Sequence, residues 1–302
     1  MIEINGKTFN AYKAALHTHS TNSDGKYTPA EVIDIYREHG YDVLAFTDHR
    51  FVTKIAGLDG KGMTLIQSLE MHPMGPRGRL WHLVALNVSD DFVYDESIGA
   101  QALIDRAVSC GAMAIYAHPY WCGFTSDEVA SLKNISAIEV YNTSCRYIGK
   151  QFNMQLWDEL SDKGYYYPAL AVDDMHHAPD QFRGWTVIAA EDKSVPSVMA
   201  ALKAGRFYAS MGPEITRISF KDNIFEASFS PCKEVIALSN FSLGFCVEVE
   251  DLKGYGTGTT LRTECRIKIP PLPDKQRWFR LQIKDEAGRY AWTAPIVLPP
   301  AP

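Results

Sequence analysis

Apolar runs of about four to eight residues alternate with amphipathic segments up to about residue 210. Residues 28–40 are typical of the second kind, because Thr28, Pro29 and Glu31 form a capping sequence and Gly40 ends the helix. Strands that alternate with helices pair largely in parallel, so the pattern predicts an α/β fold built as a barrel or a doubly wound sheet. Seven strands are predicted in this part, at residues 14–19, 41–49, 63–70, 82–88, 112–119, 136–142 and 166–174.

The pattern changes after about residue 213. Short strand-like runs now follow one another about ten residues apart, with turn residues between them, which predicts a small β-sandwich. Pro213 in the turn "SMGPE" marks the boundary, so we expect a first domain at residues 1–212 and a β-rich domain at 213–302. The predicted strands of the second domain lie at 214–220, 224–230, 234–239, 245–250, 260–269, 277–285 and 290–298.

Composition and charge narrow the classes of partner. The 302 residues carry a net charge of −6, which disfavours sequence-independent binding of nucleic acid. The sequence shows neither a signal-peptide pattern nor an apolar stretch that could cross a membrane, so we expect a cytoplasmic protein without a membrane partner. The six cysteines form no CxxC pair and are expected to be free thiols. The oligomeric state stays open.

Polar side chains gather at the ends of the predicted strands. In parallel α/β architectures these ends meet at one face, which is where functional sites are built. Any one histidine could be an ordinary structural residue, but so many at converging strand ends favour a common site. The residues concerned are His17, His19, Asp24, Asp48, His49, Glu70, His118, Glu139, Asn142, Asp173, Asp174 and His176.

His82 differs because it begins its strand. The segment 71–79 before it is short and rich in Gly and Pro, whereas a parallel crossover needs about a dozen residues or more. A hairpin-like return is therefore predicted, and it would bring His82 beside Glu70. The remaining histidines are given no role: His39 lies in a helix C-terminal turn, His177 would point away, and His72 is left unassigned.

The residue types at this face point to metal ions. His17 and His19 are two apart on a strand, so both imidazoles face the same side. Imidazoles and carboxylates buried without partners would cost several kcal/mol in total, about 1–3 kcal/mol for each polar group. Nitrogen and oxygen ligands without thiolate suit zinc, manganese or iron(II). The donors exceed the four of one tetrahedral ion, which indicates two or three divalent ions that share a carboxylate.

Seven separated motifs between residues 14 and 177 resemble, in order, those of the PHP (polymerase and histidinol phosphatase) family of metallohydrolases. The motifs are "HTHSTNSDG", "TDH", "LE", "HL", "AHP", "EVYN" and "DDMH". The resemblance implies a distorted (β/α)7 barrel with up to three metal ions. It further implies three ligand sets: His17, His19, Glu70 and Asp174 for the first ion; Glu70, His82 and His118 for the second; and Asp24, His49 and His176 for the third.

A shorter resemblance concerns the end of the first domain. The segments "RGWT" (183–186) and "AGRFYASMGPEI" (204–215), followed by a β-rich tail, are similar to the CehA/McbA-like branch of the PHP family. Some members of that branch hydrolyse carbamate esters, so this similarity weakens an automatic choice of phosphate esters as substrates.

Hydrolysis is the expected chemistry. Two close ions can hold a hydroxide and polarise the electrophile that it attacks, and the sequence has neither a "GxSxG" elbow nor a Walker loop. The expected function is a phosphoesterase acting on a small phosphorylated metabolite or nucleotide. Three alternatives stay open: a carbamate or carboxylic ester hydrolase, a metal-containing module that only binds a partner, and, disfavoured by the charge, a nuclease.

Further roles are assigned to residues by their positions after the strands. Asp24, His49 and His176 are expected to take part in catalysis as well as in metal binding. Cations that would hold a phosphate are Arg146 and Arg183, with Arg77 and Arg79 as further candidates. The residues expected to orient ligands are Asp48, Asp173, Glu139 and Asn142.

Overall fold

The computed structural model describes residues 1–248, 261–269 and 277–298. Six α-helices occur in these residues: α1 (Pro29–Glu38), α2 (Ala100–Ser109), α3 (Pro119–Cys122), α4 (Ser126–Ser131), α5 (Met154–Asp162) and α6 (Val195–Lys203). The strands are β1 (Ile2–Ile4), β2 (Lys7–Ala15), β3 (Val43–Phe46), β4 (Thr64–Met71), β5 (Leu83–Leu86), β6 (Met113–Tyr116), β7 (Ile135–Asn142), β8 (Ala169–Val172), β9 (Trp185–Ala190), β10 (Phe207–Ser210), β11 (Ile215–Lys221), β12 (Ile224–Cys232), β13 (Glu234–Ser239), β14 (Gly244–Glu248), β15 (Arg262–Lys268), β16 (Trp278–Lys284), β17 (Tyr290–Thr293) and β18 (Ile296–Val297).

The first part of the chain forms a barrel-like sheet in the order β9–β2–β3–β4–β5–β6–β7–β8. Strands β2 to β4 are parallel, as are β6 to β8, whereas β5 is antiparallel to both of its neighbours. The predicted hairpin-like return between β4 and β5 is therefore confirmed. The α/β class and the β-rich C-terminal region are confirmed as well.

Continuous apolar runs form the barrel strands because both of their faces are covered. In β3 all four residues are buried: Val43 and Ala45 face the barrel interior, while Leu44 and Phe46 pack with helix α1. Helix α1 begins with the predicted capping box of Thr28 and Glu31. These apolar residues fill the interior of the barrel, and the polar residues lie above them, after the carboxyl ends of the strands.

The C-terminal strands form two layers around a shared apolar core. One layer has the order β1–β11–β12–β15, and the other has the order β14–β13–β16–β17–β10. Phe225 from the first layer and Phe279 from the second meet with ring centroids 5.1 Å apart. The sequence divides the chain at residue 212. That division stays a prediction, and strand β1 pairs across it with β11.

Three strands that the periodicity did not predict, β1, β9 and β10, join the two parts. Strand β9 pairs with β2 and β10, and β10 pairs in turn with β17. The predicted runs at 245–250 and 260–269 lie partly outside the described residues, and so does the end of the chain after 298. Among the described helices, none is both long and apolar enough to cross a membrane.

Candidate metal centre

The histidines of the first motif lie just beyond the end of strand β2, which ends at Ala15. Backbone hydrogen bonds hold this segment against the one that follows β8. His19 N–H donates to Met175 O (2.9 Å), and Asp174 N–H donates to His17 O (3.1 Å). The ligand candidates of distant motifs are thus held in fixed register by the backbone.

Glu70 lies at the centre of the cluster and is fully buried. Its Oε1 is 2.8 Å from His82 Nδ1 and 3.3 Å from His118 Nε2, while its Oε2 is 2.6 Å from His49 Nδ1. Glu70 can therefore bridge two cations. The other imidazoles with a nitrogen within 4 Å of Oε2 belong to His17, His19 and His72.

A second carboxylate, Asp174, faces the two histidines of the first motif. Its Oδ1 is 3.2 Å from His17 Nε2 and 3.0 Å from His19 Nε2. Its Oδ2 accepts a hydrogen bond from Asn142 Nδ2 (3.1 Å). The four residues that the family resemblance assigns to a first ion therefore lie together.

A third, more open group surrounds Asp24, whose side chain is more than half exposed. Its Oδ2 is 3.4 Å from His49 Nε2, and its Oδ1 is 3.4 Å from His176 Nε2. The loop can turn this tightly because Gly25 approaches the backbone of His19, where a Cβ would come within 2.5 Å of carbonyl atoms. This group matches the third implied ligand set and faces the solvent side of the cluster.

An outer layer of polar residues orients the inner ones. Glu139 Oε1 lies 2.6 Å from His17 Nδ1, so the opposite ring nitrogen of His17 points into the cluster. The other oxygen of Glu139 accepts from Asn142 Nδ2 and from the backbone N–H of His118. Asp48 accepts from Ser20 and Ser23, and thereby holds the loop that carries Asp24.

The carboxylate of Asp173 makes its hydrogen bonds outside the cluster. It accepts hydrogen bonds from the backbone N–H groups of residues 182–184 and from Tyr36 Oη. Burial raises the pKa of Asp173 to about 6, against the opposing effect of these donors. Its position indicates that it fixes the chain after the "DDMH" motif.

The electrostatics of the inner cluster favour ionised carboxylates but not every neutral imidazole, since the pKa values of His49 and His118 are raised against the effect of burial. Burial alone would raise the pKa of Glu70, but the imidazoles of His82 and His17 hold it well below its usual range. Burial lowers the pKa of His82 to about 4, in spite of Glu70. The pKa of His17 is raised against the effect of burial by Asp174 and Glu139. A cation nearby would favour neutral His17, since divalent ions reverse such shifts.

The unpaired atoms of the cluster fit bound cations. His17 Nε2 and Glu70 Oε2 are buried, yet neither makes a hydrogen bond of good geometry within the described residues, in spite of their close neighbours. Buried polar groups are normally satisfied, so these two atoms call for a further partner. Several groups of donors lie within 4.8 Å of one another and could hold a metal ion, such as His19 with Asp24, His49 and His176.

Two of the candidate ligands have strained backbones. His118 and Asp174 have φ values of 28° and 52°, in the left-handed region that non-glycine residues rarely adopt. Such conformations cost about 1–3 kcal/mol each and concentrate at functional sites. The strain at these two positions therefore supports a functional rather than a purely structural role.

His72 belongs to the cluster although the sequence left it unassigned. Its Nε2 is 3.0 Å from His49 Nδ1 and 3.4 Å from Glu70 Oε2, and its ring stacks on that of His82 at 4.0 Å. The signal was available, because His72 follows Glu70 at the same spacing of two that places His17 and His19 on one side.

The structure does not bring the arginine candidates into the cluster. Arg146 donates to Asp180 Oδ1 and Thr143 O, and the exposed Arg183 donates through Nε to Pro179 O. Arg77 pairs with Glu128, and Arg79 donates to Cys122 O. None of the four lines the cavity described below, and their assignment as phosphate anchors stays a prediction.

We therefore expect Arg183→Ala to leave both metal content and affinity for substrate unchanged, within about twofold. The guanidinium group is exposed and bonded away from the cluster, and exposed contacts of this kind contribute about 1 kcal/mol or less. Metal analysis and KM for an accepted ester would check this. A KM raised tenfold at constant metal content would restore the residue to the site.

The cluster opens into a cavity of about 480 Å³. Metal-binding candidates and other residues of the loops after β6, β7 and β8 line it together. The lining residues are Asp24, His49, His82, His118, Trp121, Ser144, Cys145, Tyr147, Asp174, His176 and His177. The cavity thus gives a small molecule access to the cluster.

No protein-family model matches the sequence, and no curated protein matches it either. Solved structures do match. One is a two-domain protein from Bacteroides vulgatus containing a predicted PHP-like metal-dependent phosphoesterase, with a TM-score of 0.54 and 16% identity over 97% of this chain and 98% of that chain. An amidohydrolase from Chromobacterium violaceum matches with a TM-score of 0.45 and 17% identity, over 54% of this chain and 87% of that one. A lesion-specific endonuclease from Pyrococcus furiosus matches with a TM-score of 0.46 and 14% identity, over 65% and 56%.

The fold of this chain is PHP-like. The likeness to the Bacteroides vulgatus protein extends over both parts of the molecule, and it concerns the fold. The resemblance of the seven motifs to the PHP family is confirmed at this level. The CehA/McbA-like branch stays a prediction, as do the individual ligand assignments.

Proposed function

We propose that this protein is a metal-dependent hydrolase that cleaves phosphate esters of small molecules. The observation that carries the proposal is the convergence of imidazoles and three carboxylates around two unsatisfied buried atoms at the floor of an open cavity. The fold shared with the PHP-like protein is consistent with this function. The partner is then a small ester, and the resident cofactors are two or three ions of zinc, manganese or iron.

Ions of this kind, when bound, lower the pKa of water and neutralise charge that develops on a phosphoryl group. The chain supplies the holding and orienting groups. Glu139 fixes the ring of His17, and Glu70 reaches two sets of imidazoles at once. Asp24, His49 and His176 lie on the cavity side, where they would meet the substrate first.

A carbamate or carboxylic ester hydrolase is the second candidate. The observation that favours it is the absence of any lysine or arginine among the described residues that line the cavity. A phosphate ester would therefore depend on the metal ions alone for its charge, whereas a neutral ester needs no further cation. The same cluster would serve either substrate, because both reactions place water against a polarised centre.

We expect phosphate release from one or more phosphomonoesters, and its loss with a chelator and in His17→Ala. The substitution removes a fully buried imidazole that faces two carboxylates. Assays of phosphomonoesters, phosphodiesters and aryl esters, with manganese or zinc added, would measure this. His39→Ala is the matched control, since His39 is exposed on the surface beside α1 and should leave the activity unchanged.

Cleavage of carboxylic or carbamate esters alone would contradict the phosphoesterase proposal and favour the second candidate function, an ester or carbamate hydrolase. A protein that binds metal and turns over no ester at all would be a binding module, and the catalytic proposal would be wrong. Equal activity of the wild-type protein and His17→Ala would show that the activity does not depend on this cluster.

A further inference from the structure

Part of the cavity lining is aromatic. We use the name aromatic wall for Trp121, Tyr147 and His177, which all line the cavity. Trp121 is 41% exposed and Tyr147 is 55% exposed, although both are large apolar rings. The indole of Trp121 stands nearly perpendicular to His118, with ring centroids 5.3 Å apart, directly beside the metal-binding candidates.

Tyr147 is exposed but held in place by a network beneath it. Its hydroxyl donates to Asp180 Oδ1 (2.9 Å) and accepts from Arg146 Nη2 (2.9 Å). Asp180 is fully buried, and the guanidinium of Arg146 lies over the tyrosine ring at 4.2 Å. A surface tyrosine without a function loses entropy when it is fixed in this way, whereas a fixed ring binds a ligand at low entropic cost.

His177 extends the same surface. Its ring is parallel to that of Tyr147 within 10°, at a centroid distance of 5.9 Å, and its Nδ1 is 3.2 Å from Asp180 Oδ2. One buried carboxylate therefore positions two neighbouring rings. The wall offers π faces, while Asp180 also pairs with the guanidinium of Arg146 beside it.

We propose that the aromatic wall selects esters that carry a flat aromatic ring, such as an aryl or nucleobase group, over aliphatic esters of the same charge. The inference rests on the proposed function, since the metal cluster would hold the reacting group while the wall holds the ring. Trp121 and Tyr147 are then specificity-determining residues. Stacking of this kind is worth about a three- to tenfold gain in affinity beyond simple burial.

The test compares two probes of similar size, at a pH above the second pKa of both phosphonates so that they carry equal charge. We expect the manganese-loaded protein to bind phenylphosphonate about fivefold more tightly than cyclohexylphosphonate in isothermal titration calorimetry. Binding avoids the difference in leaving-group chemistry that would distort a comparison of rates. In Tyr147→Leu and in Trp121→Leu, the preference for the phenyl ring should fall to less than twofold.

Tyr120→Leu is the matched control. Tyr120 precedes Trp121 and is 47% exposed, but it does not line the cavity. Its substitution should leave the phenyl preference intact. Tyr147→Phe tests the anchoring separately, because it keeps the π face of the ring and removes the contacts of the hydroxyl with Asp180, Arg146 and His177. We expect it to retain part of the preference.

The outcomes distinguish the inference from the proposed function. Equal binding of the two phosphonates by the wild-type protein overturns the proposed role of the aromatic wall and leaves the phosphoesterase proposal intact. Binding of neither phosphonate by metal-loaded protein counts against both. A preference that survives in Tyr147→Leu and Trp121→Leu, with metal content and the unfolding transition unchanged, would also refute the role of the wall.

Discussion

Glu70→Gln is expected to bind its metal ions at least about a hundredfold more weakly than the unaltered chain. Loss of a residue that merely orients a ligand costs about 10–100-fold in metal affinity, and Glu70 lies at the centre of the inner cluster. Its two oxygens approach His49 and His82 within 2.6 and 2.8 Å. The neutral amide keeps the shape but removes the charge that attracts two cations. Metal content after gel filtration at graded chelator concentrations would measure the loss.

Two further variants should lose less metal than Glu70→Gln. Glu139→Gln changes a residue that contacts His17 Nδ1 from outside the inner cluster, so we expect a loss of about tenfold. Glu128→Gln changes a carboxylate that pairs with Arg77 far from the cluster, and it should leave metal content unchanged. Full metal retention in Glu70→Gln would contradict the proposed centre, whatever the activity of the protein.

Arg280→Ala is expected to lower the free energy of unfolding by about 3 kcal/mol. Arg280 on β16 is fully buried, pairs with Asp158 on α5, and lies over the ring of Trp157 at 3.8 Å. Truncation would leave a cavity beside the indole and a carboxylate without its cation. Because the contacts join β16 to a barrel helix, the loss affects the attachment of the C-terminal layers to the barrel. Denaturant unfolding of the metal-free proteins would measure it.

Arg266→Ala provides the surface comparison. Arg266 pairs with Glu226 while 65% of its side chain is exposed, so its loss should change the free energy of unfolding by about 1 kcal/mol or less. If Arg280→Ala and Arg266→Ala unfold at the same denaturant concentration, the buried arginine does not stabilise the junction. Metal content should stay normal in both, since neither side chain approaches the cluster.

The sequence predicted the cluster well because strand ends in an α/β barrel converge by geometry. Once β4 and β5 were read as a hairpin, His82 had to lie near Glu70, and the structure places them 2.8 Å apart. His72 was left unassigned because it lies beyond Glu70, the residue that ends the predicted strand, although its spacing of two from Glu70 places both on one side. Tertiary contacts alone reveal that its ring stacks on His82.

The convergence of strand ends predicts neither the direction of the arginine side chains nor the pairing of the strands that link the two parts. Arg146 follows a strand that ends at the site, but its guanidinium turns back to Asp180, a choice that depends on a carboxylate 34 residues away. Strand β9 reads in the sequence as a short apolar run without a partner. Its pairing with β2 arises from contacts across about 175 residues of chain, which no local pattern encodes.

Strand β1 carries a consequence for biosynthesis. It pairs in parallel with β11, about 210 residues further along the chain. During translation β1 leaves the ribosome long before β11, so one edge of β1 stays uncovered until the later strand has been made. We expect nascent chains that stop at residue 212 to engage chaperones through this edge, while chains that extend beyond β11 are released.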